Sequence, residues 1–166
     1  DANSGNDDLS FNLMASADLI VVNLTQSRHV LNRFFQEYEK RFSDFSKVFF
    51  LFGSYDKYSG YNISNCRRKY WKYFNKNNSG VIPYSTKYLD ARNECNILKM
   101  AREGLHAYMN NKDHKSRYLL RRKLRSGKYI SDETDYFFHQ SCLSTLKIMN
   151  MLSTARNKSL MKRSGA

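Results

Sequence analysis

Apolar side chains recur every three or four residues along most of this chain, and that spacing is the period of an amphipathic α-helix. The pattern is longest in the second apolar stretch, where aromatic residues from Phe34 to Phe52 keep the helical period throughout. Gly53, the cluster that begins at Asn77, and Pro83 interrupt the pattern and divide the chain into segments. The predicted helices are residues 10–25, 27–52, 66–76, 85–110 and 131–155.

The scarcity of helix breakers favours an all-α fold. The 166 residues include 1 proline and 7 glycines, too few for a β-sandwich with many turns. Residues 48–52 could form a strand in isolation, but they continue the helical period of the residues before them. The basic segment 114–125 either continues the fourth helix or forms a separate one. We therefore predict a single domain, an up-and-down bundle of about five helices, with flexible ends at residues 1–9 and 156–166.

Positive charge is concentrated in the middle of the chain. The net charge is +13, and residues 67–128 hold 17 Lys or Arg against 4 Asp or Glu. Charge of that density attracts polyanions and anionic membranes. We expect two cationic helical segments, residues 67–76 and 115–128, to bind such a surface. The residues assigned to it are Arg67, Arg68, Lys69, Lys72, Lys76, Lys115, Arg117, Arg121, Arg122, Lys123 and Arg125.

Aromatic side chains accompany this charge and are candidates for insertion into a membrane. Residues 48–52 are apolar all round the predicted helix, so that one side could remain outside the core as a binding surface. Full burial under the first and last helices is the alternative. The residues assigned to apolar insertion are Phe49, Phe50, Phe52, Tyr70 and Trp71.

Motifs for catalysis or metal binding are missing from the sequence. The four histidines have no HExxH or paired-ligand spacing, and no P-loop, Gly-x-Ser-x-Gly or dinucleotide-binding motif occurs. We expect no enzymatic activity, no catalytic residues, no metal and no cofactor. Cys66, Cys95 and Cys142 either form one disulfide and leave one thiol, or are three reduced, buried cysteines. Four glycosylation sequons favour secretion, and no apolar run is long enough to span a membrane.

Several short motifs within residues 67–120 carry a family resemblance. Arg67-Arg68 precedes an aromatic pair, Gly80–Pro83 forms a Gly-x-x-Pro sequence, and residues 84–89 and 100–113 open and end the next predicted helix. These motifs resemble those of the abalone egg-lysin family of acrosomal sperm proteins. The resemblance implies a small, secreted, basic five-helix protein that acts without an enzymatic step. The acidic start, the cysteines and the longer C-terminal helix differ from lysin and favour its membrane-fusogenic paralogue.

The resemblance and the charge together predict a secreted protein of the sperm acrosomal vesicle. We expect it to promote sperm–egg membrane fusion in fertilisation by binding, through its basic and aromatic surfaces. The expected partners are anionic lipids of the egg plasma membrane or an egg-coat glycoprotein, with no specific nucleic acid, and a homodimer is left open. Two alternatives are lysin-like dissolution of the egg coat and a secreted, interferon-like helical cytokine. A nucleic-acid-binding module fits the charge but shows no recognised motif.

Overall fold

A computed structural model of the chain describes residues 8–39, 45–110 and 133–164, and it contains a parallel β-sheet. The prediction of an all-α bundle is therefore wrong: the fold is mixed α/β. A short 3₁₀ turn, Phe45–Lys47, precedes the second strand. In chain order, the described helices and strands are α1 (Asp8–Ser16), β1 (Ile20–Leu24), α2 (Arg28–Tyr38), β2 (Val48–Tyr55), α3 (Ile63–Lys69), β3 (Ser79–Pro83), α4 (Thr86–Asn93), α5 (Ile97–Asn110) and α6 (Glu133–Ser164).

The three strands lie side by side in chain order and are all parallel. Ile20 pairs with Val48 at the start of the first ladder, and Phe50 pairs with Ser79 in the second. Parallel neighbours need crossover connections, and α2 and α3 lie in the two crossovers. The central strand is apolar on both faces, as expected for a strand that is covered on both sides. The first half of the chain is therefore a β-α-β-α-β unit.

Helices α2 and α3 cover one face of this sheet. Leu31 and Phe35 from α2 and Cys66 from α3 pack in one buried cluster with Phe50 and neighbouring strand residues. Phe74, from the segment after α3, closes the cluster: its ring centroid lies 5.3 Å from that of Phe35 and 4.4 Å from that of Phe50. Edge-to-face aromatic contacts of this kind add to the burial of apolar area.

The long helix α6 packs against β3 and the opposite face. The Ser144 hydroxyl accepts a hydrogen bond from the Val81 N–H (2.8 Å) and donates one to the Val81 carbonyl oxygen (2.9 Å). Ser144 thus satisfies backbone groups that point away from β2, so that α6 closes this edge of the sheet against further strand pairing. Phe138 of α6 lies over Gly104 of α5, and Phe137 stacks on Tyr88 of α4 with centroids 5.7 Å apart.

Several predicted element bounds are wrong. The helix predicted over residues 10–25 ends at Ser16 and is followed by β1, and the helix predicted over 27–52 ends at Tyr38 and is followed by β2. The Gly-x-x-Pro sequence is strand β3, and the last helix, predicted to end at residue 155, continues as α6 to Ser164. Residues 20–24 and 48–52 are short apolar runs rich in β-branched and aromatic residues, which periodicity alone cannot assign to helix or strand. The basic segment 114–125 lies outside the described residues.

Candidate functional site at the carboxyl edge of the sheet

The loops that follow the three strands are tied together at the carboxyl edge of the sheet. Gln26, after β1, donates from Nε2 to the carbonyl oxygens of Asp56 (2.8 Å) and Tyr61 (3.1 Å). Its Oε1 accepts a hydrogen bond from the Asp56 N–H (2.6 Å). After β3, the Tyr84 N–H donates to the Tyr55 carbonyl oxygen (3.0 Å). These bonds fix the strand ends relative to one another.

A β-bulge at the end of the central strand shapes this edge. The pairing register shifts between Phe52 and Tyr55, and Ser54 within the bulge has a positive φ of 47°. The extra residue places Tyr55 in the buried cluster. Its hydroxyl accepts a hydrogen bond from the Ile63 N–H at the start of α3 (3.1 Å), and burial raises the Tyr55 pKa. The residue that follows, Asp56, is then exposed at the edge.

Lys57 is held between two tyrosine rings at this edge. Its Nζ lies 4.9 Å from the ring centroid of Tyr58 and 4.9 Å from that of Tyr136, which comes from α6. The Tyr58 N–H donates to Asp56 Oδ1 (2.8 Å), which fixes the turn that presents this pair. Cation–π contacts orient an ammonium group without neutralising its charge. Within the described residues Lys57 forms no hydrogen bond or ion pair, so its charge is available to a ligand.

Tyr136 remains a neutral hydroxyl at physiological pH. Burial, followed by the neighbouring Tyr55, Asp56 and Tyr58, raises the pKa of Tyr136 to about 12. A neutral phenol can donate a hydrogen bond to an anionic or carbonyl group. Lys57 and Tyr136 therefore supply a cation and a neutral donor at one place on the edge.

Helices α2, α3 and α4 all begin at this edge, and α2 and α4 each have a serine as the N-cap. The Ser27 hydroxyl accepts from the Val30 N–H (3.5 Å) at the start of α2, and the Ser85 hydroxyl accepts from the Tyr88 N–H (3.3 Å) at the start of α4. Helix N-termini carry partial positive charge. The described strands run in the order β1-β2-β3 with no reversal of strand order, which is where open α/β sheets bind ligands, so the case for a ligand at this edge rests on its side chains. We name the set Gln26, Asp56, Lys57, Tyr58 and Tyr136 the carboxyl-edge cluster.

The five described cations that were predicted to bind an anionic surface lie on α3 or just after it, outside the carboxyl-edge cluster. Arg67 is half-buried and points at Ser79, with Nε donating to the serine Oγ (2.9 Å). Residues 115–125 lie outside the described residues. The other four predicted cations are exposed, on α3 or just after it: Arg68, Lys69, Lys72 and Lys76.

The five residues predicted to insert into a membrane differ sharply in exposure. Phe49, Phe50 and Phe52 are 0% exposed and form part of the core, so that full burial, the alternative, describes them in this conformation. Tyr70 is half-buried and its ring stacks on another core aromatic ring. Trp71 is 72% exposed and is the one member of this set that presents a large apolar surface.

Nothing in the sequence pattern singled out the carboxyl-edge cluster, because its members come from the loop after β1, the loop after β2 and the distant helix α6. A succession of apolar runs separated by helical segments, each run followed by polar residues, was the signal that could have located it. The cysteines play no part in the cluster: Cys66 is buried, Cys95 exposed and Cys142 half-buried, and all three are free thiols. Among the described residues, no group of three His, Cys, Asp or Glu could hold a metal ion.

The parallel strand order and the helices on both faces define the class: an open α/β fold, with the carboxyl-edge cluster as its candidate site. Comparison with protein-family models, with curated proteins and with solved structures found no match to this chain. In the part of the chain that the structure describes, no helix is both long and apolar enough to cross a bilayer.

Proposed function

We propose that this α/β fold binds a small nucleotide-type ligand, with an aromatic ring and an anionic group, at the carboxyl edge of its sheet. The observation that carries the proposal is the Lys57 ammonium, held at 4.9 Å from the Tyr58 and Tyr136 rings at the end of the central strand. The charge of Lys57, which forms no ion pair within the described residues, suits an anionic group. The ring of Tyr58, which is 84% exposed, offers a face for stacking.

Two further features support the same location. Both α2 and α4 begin at the carboxyl edge, and their N–H groups favour an anion there. The Gln26 hydrogen bonds hold the loop after β2 against the loop after β1, so that the ligand groups are positioned before binding. A preorganised edge loses less conformational entropy when a ligand binds.

Titration with ATP, followed by amide NMR spectra of the full chain, tests the proposal. We expect saturable shifts in the loops after the strands and near Tyr136. The Lys57→Met variant should bind ATP at least about tenfold more weakly, since a charge-assisted hydrogen bond contributes about 1.5–3 kcal/mol. The exposed Lys99 of α5 provides the control, because Lys99→Met makes the same change in charge away from this edge.

The proposal fails if ATP, GTP and AMP all give no saturable shifts at millimolar concentration. It also fails if the shifts lie away from the carboxyl edge, or if Lys57→Met and Lys99→Met weaken binding equally. Equal losses would identify the interaction as the attraction of any anion to a basic protein.

A second candidate function, binding to an anionic membrane, is favoured by one observation. Trp71 is 72% exposed, and the cations Arg68, Lys72 and Lys76 near it are exposed as well. An aromatic ring among cations suits a membrane interface. Vesicles of anionic lipid should blue-shift the fluorescence of Trp71, the one tryptophan of the chain, and unchanged emission would exclude this role for Trp71. The fertilisation role implied by the lysin resemblance remains a prediction, although the five-helix fold that it implied is not the fold found.

A further inference from the structure

The opposite end of β3 holds two cations that meet at one carbonyl oxygen. Arg67, in the last turn of α3, donates from Nε to Ser79 Oγ (2.9 Å) and from Nη2 to the Ser79 carbonyl oxygen (3.4 Å). Lys147 of α6 donates from Nζ to the same carbonyl oxygen (3.0 Å). The two charged nitrogens therefore lie no farther apart than the sum of those two distances. Ser79 is completely buried, while both cations are half-buried.

Within residues 8–39, 45–110 and 133–164, no acidic side chain forms a salt bridge with either cation. Among the described residues the one salt bridge joins Arg33 and Glu37 on α2, and neither Arg67 nor Lys147 takes part in it. Burial lowers the pKa of both side chains, and the charge of Arg67 lowers that of Lys147 further. A partly buried charge without a counter-charge is costly, and two neighbouring like charges repel each other as well.

A purely structural role does not require this charge. Neutral side chains can satisfy an outward-facing strand backbone, as Ser144 does two residues farther along β3 for the Val81 N–H and carbonyl oxygen. At Ser79 the same task is performed by two cations. The last turn of α3 favours a cation at Arg67, but one neutral donor would serve the carbonyl oxygen in place of Lys147 without the repulsion.

We propose that Arg67 and Lys147, meeting at Ser79, form a binding site for a phosphate dianion at the amino-terminal end of β3. The Lys147 ammonium has two N–H groups beyond the one that bonds Ser79, and the Arg67 guanidinium also keeps unused donors. A doubly negative tetrahedral oxyanion would bridge them and remove their repulsion. This site lies at the other end of the strands from the carboxyl-edge cluster, about 13 Å away along β3, and does not depend on the proposed nucleotide site.

Thermal unfolding with inorganic phosphate, compared with sodium chloride at equal ionic strength, tests this site. Phosphate should raise the melting temperature of the wild type beyond the effect of chloride, because a ligand that binds the folded state stabilises it. Lys147→Met should weaken phosphate binding at least about tenfold, as expected for the loss of one charge-assisted hydrogen bond. Lys99→Met removes the same charge from the exposed surface of α5 and should keep the wild-type response.

A second measurement needs no mutation. The side-chain amine resonances of lysine, recorded for the wild type with increasing phosphate, should show the Lys147 pKa rising toward the ordinary value. The proposal is overturned if phosphate and chloride stabilise the wild type equally. It is also overturned if Lys147→Met responds like Lys99→Met, or if phosphate leaves the Lys147 resonance unchanged.

Discussion

Gly80 lies where α6 crosses β3, and its replacement by alanine measures how close that crossing is. A β-carbon built at Gly80 would lie 2.5 Å from Ser144 Oγ, 2.8 Å from Ser144 Cβ and 3.0 Å from Phe49 Cζ. Separations this short require a neighbouring group to move. Either α6 shifts away from the sheet, or Ser144 gives up its hydrogen bonds to Val81.

The expected cost of Gly80→Ala combines two effects. Overpacking of a tight contact destabilises a protein by about 1–3 kcal/mol. Buried backbone groups of Val81 that lose Ser144 as a partner add about 1–3 kcal/mol. Together these give a loss of about 2–6 kcal/mol in the free energy of unfolding, and a melting temperature lower by about 4–24 °C.

Urea unfolding monitored by circular dichroism measures this cost, and a double-mutant cycle assigns it to the crossing. Ser144→Gly removes the two atoms nearest the new methyl group, so Gly80→Ala should cost at least about 1 kcal/mol less in that background. Gly60→Ala is the matched control: its β-carbon meets nothing within 4 Å, so the change should stay within about 0.5 kcal/mol. A Gly80→Ala variant as stable as Gly60→Ala, or additive effects in the cycle, would refute the close packing of α6 on β3.

Three further predictions follow from local features. Cys95→Gly should raise the free energy of unfolding by about 1 kcal/mol in urea, because Cys95 has a φ of 57° at the end of α4, a conformation that favours glycine. Phe50→Ala should lower the free energy of unfolding by about 3–5 kcal/mol, since Phe50 is 0% exposed at the centre of the aromatic cluster. Tyr136, with its pKa raised to about 12 chiefly by burial, keeps its proton when folded, whereas an unfolded tyrosine loses it near pH 10. The contribution of Tyr136 to the free energy of unfolding is therefore complete below about pH 10 and is lost as the pH rises to about 12. Between about pH 9 and about pH 11, urea unfolding should show the wild type losing up to about 1 kcal/mol more stability than Tyr136→Phe.

Local patterns predicted the helices better than the strands. Residues 28–38 form the helix expected there, because Ser27 caps it and Leu31 and Phe35 fall on its buried face. The same three- or four-residue spacing of apolar positions continues into Val48–Tyr55. That segment is a strand with buried residues on both faces, so its apolar positions also match the helical spacing. Long-range pairing with β1 and β3 decided that segment. The spacing of apolar residues within one segment contains no information about pairing with distant strands. In short apolar runs such tertiary contacts override the local preference.

The carboxyl-edge cluster could not be predicted from spacing, because its members meet through the order of the strands. Lys57 follows the central strand, whereas Tyr136 lies far along the chain on α6, and their contact requires α6 to pack across the sheet. Once the parallel sheet is known, the general location follows, since parallel strands end at one edge. The identity of the residues depends further on the bulge at Ser54, which the neighbouring Gly53 indicates only once the segment is known to be a strand.

The aromatic richness that first suggested a membrane-active surface is explained largely by the core. Phe35, Phe50 and Phe74 pack together beside α2 and α3, and Tyr70 lies at the rim with its hydroxyl donating to Asn32 Oδ1 (2.5 Å). Tyrosine suits a rim because its ring is buried while its hydroxyl keeps a polar partner. Such packing does not account for the exposed rings at the two ends of α3. Tyr58 lies before its start, at the carboxyl edge, and Trp71 lies after its end among cations. Because the two rings are at opposite ends of α3, substituting each one separately can distinguish ligand binding at the carboxyl edge from membrane binding at Trp71.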